Sequence, residues 1–145
     1  MKQHVIFALI AAVFVGGLAL FNTLNPPPPA DYRIVYLGSP TCGSCKVWKA
    51  TDLQFWKRDP ASKTAKLELA ILNGSPFNGG YGRHDDVFKE AFEGRNKIIW
   101  PSFAVYNHGE FEKLYVGRRS WQKIEDKVRK AAEHAEKVQL KEAGA

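Results

Sequence analysis

The hydrophobic positions of this chain change their spacing block by block, and each block predicts a different element. Residues 5–21 read VIFALIAAVFVGGLALF, with no charge in the run and Lys2 the only charged side chain before Asp31. A segment that is apolar all round has no face to show to water, so a soluble helix does not account for it. Residues 33–37, Arg-Ile-Val-Tyr-Leu, make a short β-rich run closed by Gly38-Ser39-Pro40. From 46 to about 58 the pattern is helical, with Trp48, Phe55 and Trp56 among its large apolar residues and Asp59-Pro60 as its stop. Residues 67–72 are mostly apolar and predict a second strand in a central position. A glycine-rich loop over 73–82 follows, then a short helix over 85–92 opened by acids and ended at Gly94. Strands over 102–106 and 111–116 flank Asn107-His108-Gly109-Glu110, a hairpin by its turn residues, and Gly117 breaks the second strand. Ser120 is placed to cap a last helix running to about 140. Its apolar positions Trp121, Ile124, Val128, Ala131, Ala135 and Val138 alternate steps of three and four.

A strand, a crossover helix and a second strand imply a parallel pair, while the later hairpin adds antiparallel strands, so the sheet is expected to be mixed. The chain has 145 residues, 45% hydrophobic and 25% charged, which suits one domain with appendages and excludes wholesale disorder. Lys2 ahead of the apolar run is the pattern of an export signal, because the cation stays on the cytoplasmic side while the apolar segment enters the bilayer. Two outcomes stay open. The run reaches the ~17 residues that just span the hydrocarbon core, as an uncleaved anchor would. Gly17-Leu18-Ala19 also offers a small-x-small cleavage site behind a shorter apolar core over 5–15. No cysteine lies near this segment, which excludes a lipoprotein anchor. Four consecutive prolines, Pro26 to Pro29, then form a stiff polyproline II spacer. The expected organisation is a signal anchor or signal peptide over 1–24, a linker over 25–30, a folded domain over 31–140 and a tail over 141–145. The net charge of +6 is modest and spread along the chain, and an exported address argues against a nucleic-acid partner.

The two cysteines change the picture most. They are too few for a disulfide-rich miniprotein or for zinc held by several cysteine pairs. Thr41-Cys42-Gly43-Ser44-Cys45 stands where a strand gives way to a helix. A thiolate at the first turn of a helix accepts backbone N–H groups that have no helical partner and sits at the positive dipole end, which lowers its pKa. The small dipeptide Gly43-Ser44 leaves the first sulfur open to a partner's disulfide. Cys42 is therefore expected to attack, and Cys45, one turn further in, to resolve the mixed disulfide. Two other readings compete. The pair is half a zinc site, but His4, His84, His108 and His134 are scattered, so copper or zinc on two thiols plus a distant histidine is the metal form to consider. A purely structural disulfide is the other, although so small a loop constrains the unfolded chain little.

The strand followed by Cys42-Gly43-Ser44-Cys45-Lys46 resembles the active-site segment of the thioredoxin family. Trp100-Pro101-Ser102-Phe103 is similar to the place where that family carries a cis-proline before a strand, and Val116-Gly117-Arg118-Arg119-Ser120 to the strand end, glycine and helix start that follow. The resemblance spans roughly residues 32–138 and implies a thioredoxin fold: α/β, with a mixed four-stranded sheet flanked by helices in the order β-α-β-α-β-β-α. It further implies that Pro101 is cis and faces Cys42, and that Trp100 and Pro101 bind an extended substrate strand. Three features depart from the family. Tyr36 stands where thioredoxins carry a buried aspartate, Trp100 is bulkier than the usual residue before the cis-proline, and the stretch 73–86 is long, with Phe77 and Tyr81 as candidates for a partner site. Lys46 is a candidate for stabilising the thiolate.

The expectation is a thiol–disulfide oxidoreductase for exported proteins bearing thiols or disulfides, with the Cys42–Cys45 pair as its redox group and no organic cofactor or metal. It would sit in a bacterial periplasm, tethered to the inner membrane through residues 5–21, with a membrane redox partner possible in principle. The alternatives are a non-catalytic thioredoxin-fold module of an envelope assembly, or a metal carrier. The direction of electron flow leans towards reduction, since no histidine lies between the cysteines to stabilise a thiolate.

Overall fold

The computed structural model describes residues 30–144. The expected export segment over 1–24 and the prolines of the linker lie outside the described residues, as does Ala145. Among the described residues no helix is long and apolar enough to cross a membrane.

Strand β1 (Tyr32–Gly38) carries the apolar run Ile34 to Leu37 because both of its faces are covered there. Ile34 and Tyr36 enter one hydrophobic cluster, and Val35 and Leu37 enter another across the sheet; all four are fully buried. The sheet has four strands in the order β2-β1-β3-β4, where β2 is Ala65–Ile71, β3 is Ser102–Asn107 and β4 is Glu110–Val116. β1 pairs parallel with β2 and antiparallel with β3, and β3 pairs antiparallel with β4, so the sheet is mixed as expected.

The position expected for the second strand is corrected: β2 is an edge, not a centre. Leu69 and Ile71 are 42% and 39% exposed, and Lys66 and Glu68 alternate with the apolar residues. An edge strand tolerates such charges, whereas the second interior place, between β1 and β4, falls to β3, whose Phe103, Ala104, Val105 and Tyr106 are buried on both faces. The hairpin joins β3 and β4 through His108 and Gly109, both at positive φ (52° and 82°), the two-residue turn whose twist matches the strands.

The helix expected over 46–58 is two helices. α1 (Gly43–Ala50) begins directly after Cys42, and α2 (Asp52–Arg58) follows a break at Thr51. The Thr51 hydroxyl donates to the Val47 carbonyl at 2.8 Å, a local bond that competes with the helical ladder. Phe55, expected among the large apolar residues of this helix, is 69% exposed. α3 (Asp85–Phe92) matches its expected bounds, and Gly94 behind it has φ 69°. Ser120 does not cap the last helix. Its hydroxyl donates to the Gly117 carbonyl at 2.7 Å and closes a short 3-10 turn over Arg118–Ser120 instead. That helix, α4 (Trp121–Ala143), runs into the segment expected to be a tail.

One cluster joins β1 and β3 to α1, α2 and α4 through Trp48, Trp56, Trp121, Ile124 and Val128. The other joins the opposite sheet face to α3 through Val87, Phe88, Ala91 and Phe92. The result is a sheet flanked by helices, in the β-α-β-α-β-β-α order, with the helix break and 3-10 turns as local additions.

Candidate active site

The chain leaves β1 at Gly38 and turns through Ser39, Pro40 and Thr41. The Cys42 N–H donates to the Ser39 carbonyl at 3.3 Å, and the Ser39 and Thr41 hydroxyls lie 3.0 Å apart. This turn delivers Cys42 to the N-cap of α1 with an extended backbone, φ −77° and ψ 115°. Its sulfur accepts the Cys45 N–H at 3.2 Å, taking up one of the donors that the helix start leaves free. Cys42 is half-buried and Cys45 fully buried, and both are free thiols. Gly43 and Ser44, between them, are exposed.

The electrostatics of Cys42 differ from the expectation drawn from its place in the sequence. Burial, and then the hydrogen bond with the Cys45 thiol, push its pKa up, while the backbone N–H groups of Cys45 and Ser44 pull it down; the net direction is upward. The amides are in place, but in the dithiol pair they do not outweigh desolvation and the neighbouring sulfur. Lys46 is exposed and is not among the groups that shift Cys42.

β3 starts at Ser102, which pairs with Leu37 near the end of β1, so the segment before it lies at the same end of the sheet as Cys42. The Trp100–Pro101 peptide bond there is cis, and Pro101 is fully buried. The Pro101 carbonyl accepts the Gly117 N–H at 2.7 Å, which draws the end of β4 to the same place. The three separate sequence segments, 42–45, 100–101 and 116–117, therefore converge. The fold is thioredoxin-like.

No family model matches the chain, and no curated protein matches it. Among solved structures it is similar to thioredoxin f from spinach chloroplast, at 11% identity over 71% of this chain and 78% of that one, with a TM-score of 0.46. It is similar to a thioredoxin of Malassezia sympodialis at 12% identity over 77% and 82%, TM-score 0.46. The periplasmic thioredoxin SoxS of Paracoccus pantotrophus, in its reduced form, is 13% identical over 59% and 79%, TM-score 0.40. The sheet order, not these distant likenesses, carries the fold.

Trp100 is half-buried between the two hydrophobic clusters. Its indole N–H donates to the Tyr81 hydroxyl at 2.7 Å. Tyr81, the last residue before a 3-10 turn over Gly82–His84, is buried, and burial pushes its pKa up to about 12 against the pull of the Trp100 hydrogen bond. The long loop is thus latched to the residue before the cis-proline. Within the loop, Gly80 lets the chain fold back on Ser75, since a Cβ there would lie 2.3 Å from the Ser75 carbonyl oxygen. The two aromatic residues expected together in this loop both touch Phe88, Tyr81 stacked at 5.1 Å and Phe77 edge-on at 6.0 Å between centroids, but Phe77 is 74% exposed where Tyr81 is buried.

Tyr36 was visible in the sequence only as a departure. It is fully buried and stacked on Trp48, ring centroids 4.5 Å apart, with Phe103 at 5.8 Å. Gly38 has no side chain to obstruct it: a Cβ there would lie 2.1 Å from the Tyr36 hydroxyl oxygen and 2.3 Å from Cζ. The ring therefore leans along the strand towards the cysteines. Residues i and i+2 share a strand face, so an aromatic followed two positions later by glycine was the signal that pointed this way.

Concavities of about 620, 560 and 350 Å³ lie elsewhere, at the α3–hairpin junction, beside α4 and at Arg118–Arg119, and Cys42 lines none of them. Of the cysteine pair, only Cys42 reaches the surface, and Cys45 lies sealed beneath it. Among the described residues no three His, Cys, Asp or Glu side chains are grouped to hold a metal ion.

Proposed function

We propose that this protein is a thiol–disulfide oxidoreductase of exported proteins. The observation that carries the reading is the half-buried Cys42 sulfur at the N-cap of α1, hydrogen-bonded to the Cys45 N–H, at the sheet end where Trp100 and Pro101 lie. In the reductive direction Cys42 attacks a client disulfide, forming a Cys42–client bond and releasing one client thiolate. Cys45 then attacks Cys42, the Cys42–Cys45 bond forms, and the second client thiolate leaves. Two electrons pass to the client without any other group, so neither metal nor organic cofactor takes part. Gly43 and Ser44 keep the attacking sulfur accessible, and Trp100 with Pro101 shapes the groove for the client strand. Residues 5–21 hold the domain to the inner membrane, on the periplasmic side of a bacterial envelope.

A second reading has one observation in its favour: burial raises the Cys42 pKa, as suits a non-catalytic binding module. Trapping separates the two. Under the proposal the Cys45→Ser variant accumulates mixed disulfides with envelope proteins. An absence of adducts on Cys45→Ser favours the module.

A further inference from the structure

The Tyr36 hydroxyl is a buried polar group that the exchange scheme above leaves without a task. It has no well-aligned hydrogen-bond partner, and its whole residue is sealed from solvent. Cys45 is packed with Tyr36 in the same buried cluster, and its thiol, ahead of Cys42 and Tyr81, acts with burial to push the hydroxyl's pKa up. Leaving a buried hydroxyl unsatisfied costs about 1–3 kcal/mol. The arrangement nevertheless depends on a specific concession from the backbone, since only glycine at 38 leaves room for the ring. A phenylalanine would fill the same stack on Trp48 without the penalty, so the hydroxyl calls for a reason of its own.

We propose that the Tyr36 hydroxyl is the hydrogen-bond donor that stabilises the Cys45 sulfur as a thiolate during resolution of the mixed disulfide. This rests on the exchange reading above and names a residue for its second step. Cys45 gives up its proton to solvent, its thiolate attacks Cys42, and the client sulfur departs with the electron pair and takes up a proton. Tyr36 keeps its own proton throughout, because burial holds its pKa far above neutral. It is therefore a donor and not a base. A charge-assisted bond to a thiolate is stronger than one to a neutral thiol or to a disulfide sulfur, so the hydroxyl favours the ionised state selectively.

Ellman's reagent tests this on the full chain, reduced beforehand. The first thionitrobenzoate release reports attack by Cys42, and the second reports attack by Cys45 on the resulting mixed disulfide. Tyr36→Phe is expected to leave the first phase unchanged and to slow the second about tenfold at neutral pH, corresponding to ~1.4 kcal/mol. The deficit should disappear at alkaline pH, where thiols in general need no donor to ionise. The exchange equilibrium with glutathione should move towards the disulfide form, since reduced protein loses its donor. Tyr36→Leu, which loses ring and hydroxyl together, guards against a packing effect: a second phase as slow in Tyr36→Leu as in Tyr36→Phe assigns the loss to the hydroxyl. An unchanged second phase in Tyr36→Phe, or a deficit equal at every pH, overturns the inference while the exchange reading stands. A wild-type protein with no second release overturns the exchange reading and this inference with it.

Discussion

Gly38 and Tyr36 show how much of the site depends on a single missing Cβ. Because the ring of Tyr36 lies across the Cα of Gly38 and is stacked on the fully buried Trp48, it has no free direction in which to yield. Gly38→Ala is therefore expected to destabilise the fold by about 1–3 kcal/mol, as overpacking does. The penalty should shrink when Tyr36 is also changed to Ala, and a double-mutant cycle from urea midpoints measures that coupling. Additive single effects would place the clash elsewhere. At this scale the meeting of residues 42–45, 100–101 and 116–117 was readable in the sequence, because three short segments in order carry the resemblance that implies it. What could not be read was the direction in which the Cys42 pKa moves. That depends on how much water the folded surroundings remove and on where Cys45 places its thiol, and neither is a property of a residue pair. The Trp100–Tyr81 latch escaped for a similar reason: nineteen positions separate the partners, and no periodicity links them.

Elements were read well where their own residues decide them and poorly where a neighbour does. α3 and the hairpin turn are local decisions, made by acids at a helix start and by residues tolerant of positive φ. The rank of β2 is not local. Its apolar content matched a central strand, but it is β3, apolar on both faces, that lies between β1 and β4, while β2 closes the sheet on the far side of β1. The face of β2 that carries Lys66, Glu68 and Ala70 then gathers charge. Glu68 bonds Arg33 of β1 at 2.8 Å and lies 3.0 Å from Lys66, and the buried His84, beside Arg83, places Nδ1 at 3.7 Å. The Arg33 hydrogen bond leads in holding Glu68 down to about 2, while burial leads in depressing His84 below its ordinary 6.5. Both groups bind protons less readily in the fold than in the unfolded chain, so protonation favours unfolding. Stability should be complete above the ordinary pKa of 6.5, weaken through His84 as pH falls below it, and weaken again through Glu68 between 4.5 and about 2. Urea midpoints across that range provide the measurement. His84→Gln should flatten the upper step and Glu68→Gln the lower one; a midpoint indifferent to pH in the wild type would show that neither group is coupled to folding.

For the whole molecule, the decisive relation is between the start of β1 and the end of the sheet that carries the thiols. Asp31 is fastened to the hairpin tip: its N–H donates to the Asn107 side chain at 3.2 Å, and its carbonyl accepts the His108 N–H at 3.0 Å. Cys42 follows the opposite end of β1. A seven-residue strand separates the two ends by ~20 Å at 3.3 Å per residue. On the proposed reading the domain hangs from a membrane at Ala30, so the hairpin tip faces the lipid and the cysteine pair faces away from it, towards soluble clients. A redox partner buried in the same bilayer would meet the wrong end unless the domain turned over on its proline spacer. The full chain in lipid vesicles, compared with the same chain in detergent micelles, tests this orientation with a charged, membrane-impermeant maleimide. Cys42 should react at the same rate in both. A thiol placed at the exposed hairpin tip, His108→Cys with both native cysteines changed to serine, should react more slowly in vesicles. The reverse ordering would mean that the active end lies against the bilayer, and clients would then have to be sought among membrane proteins.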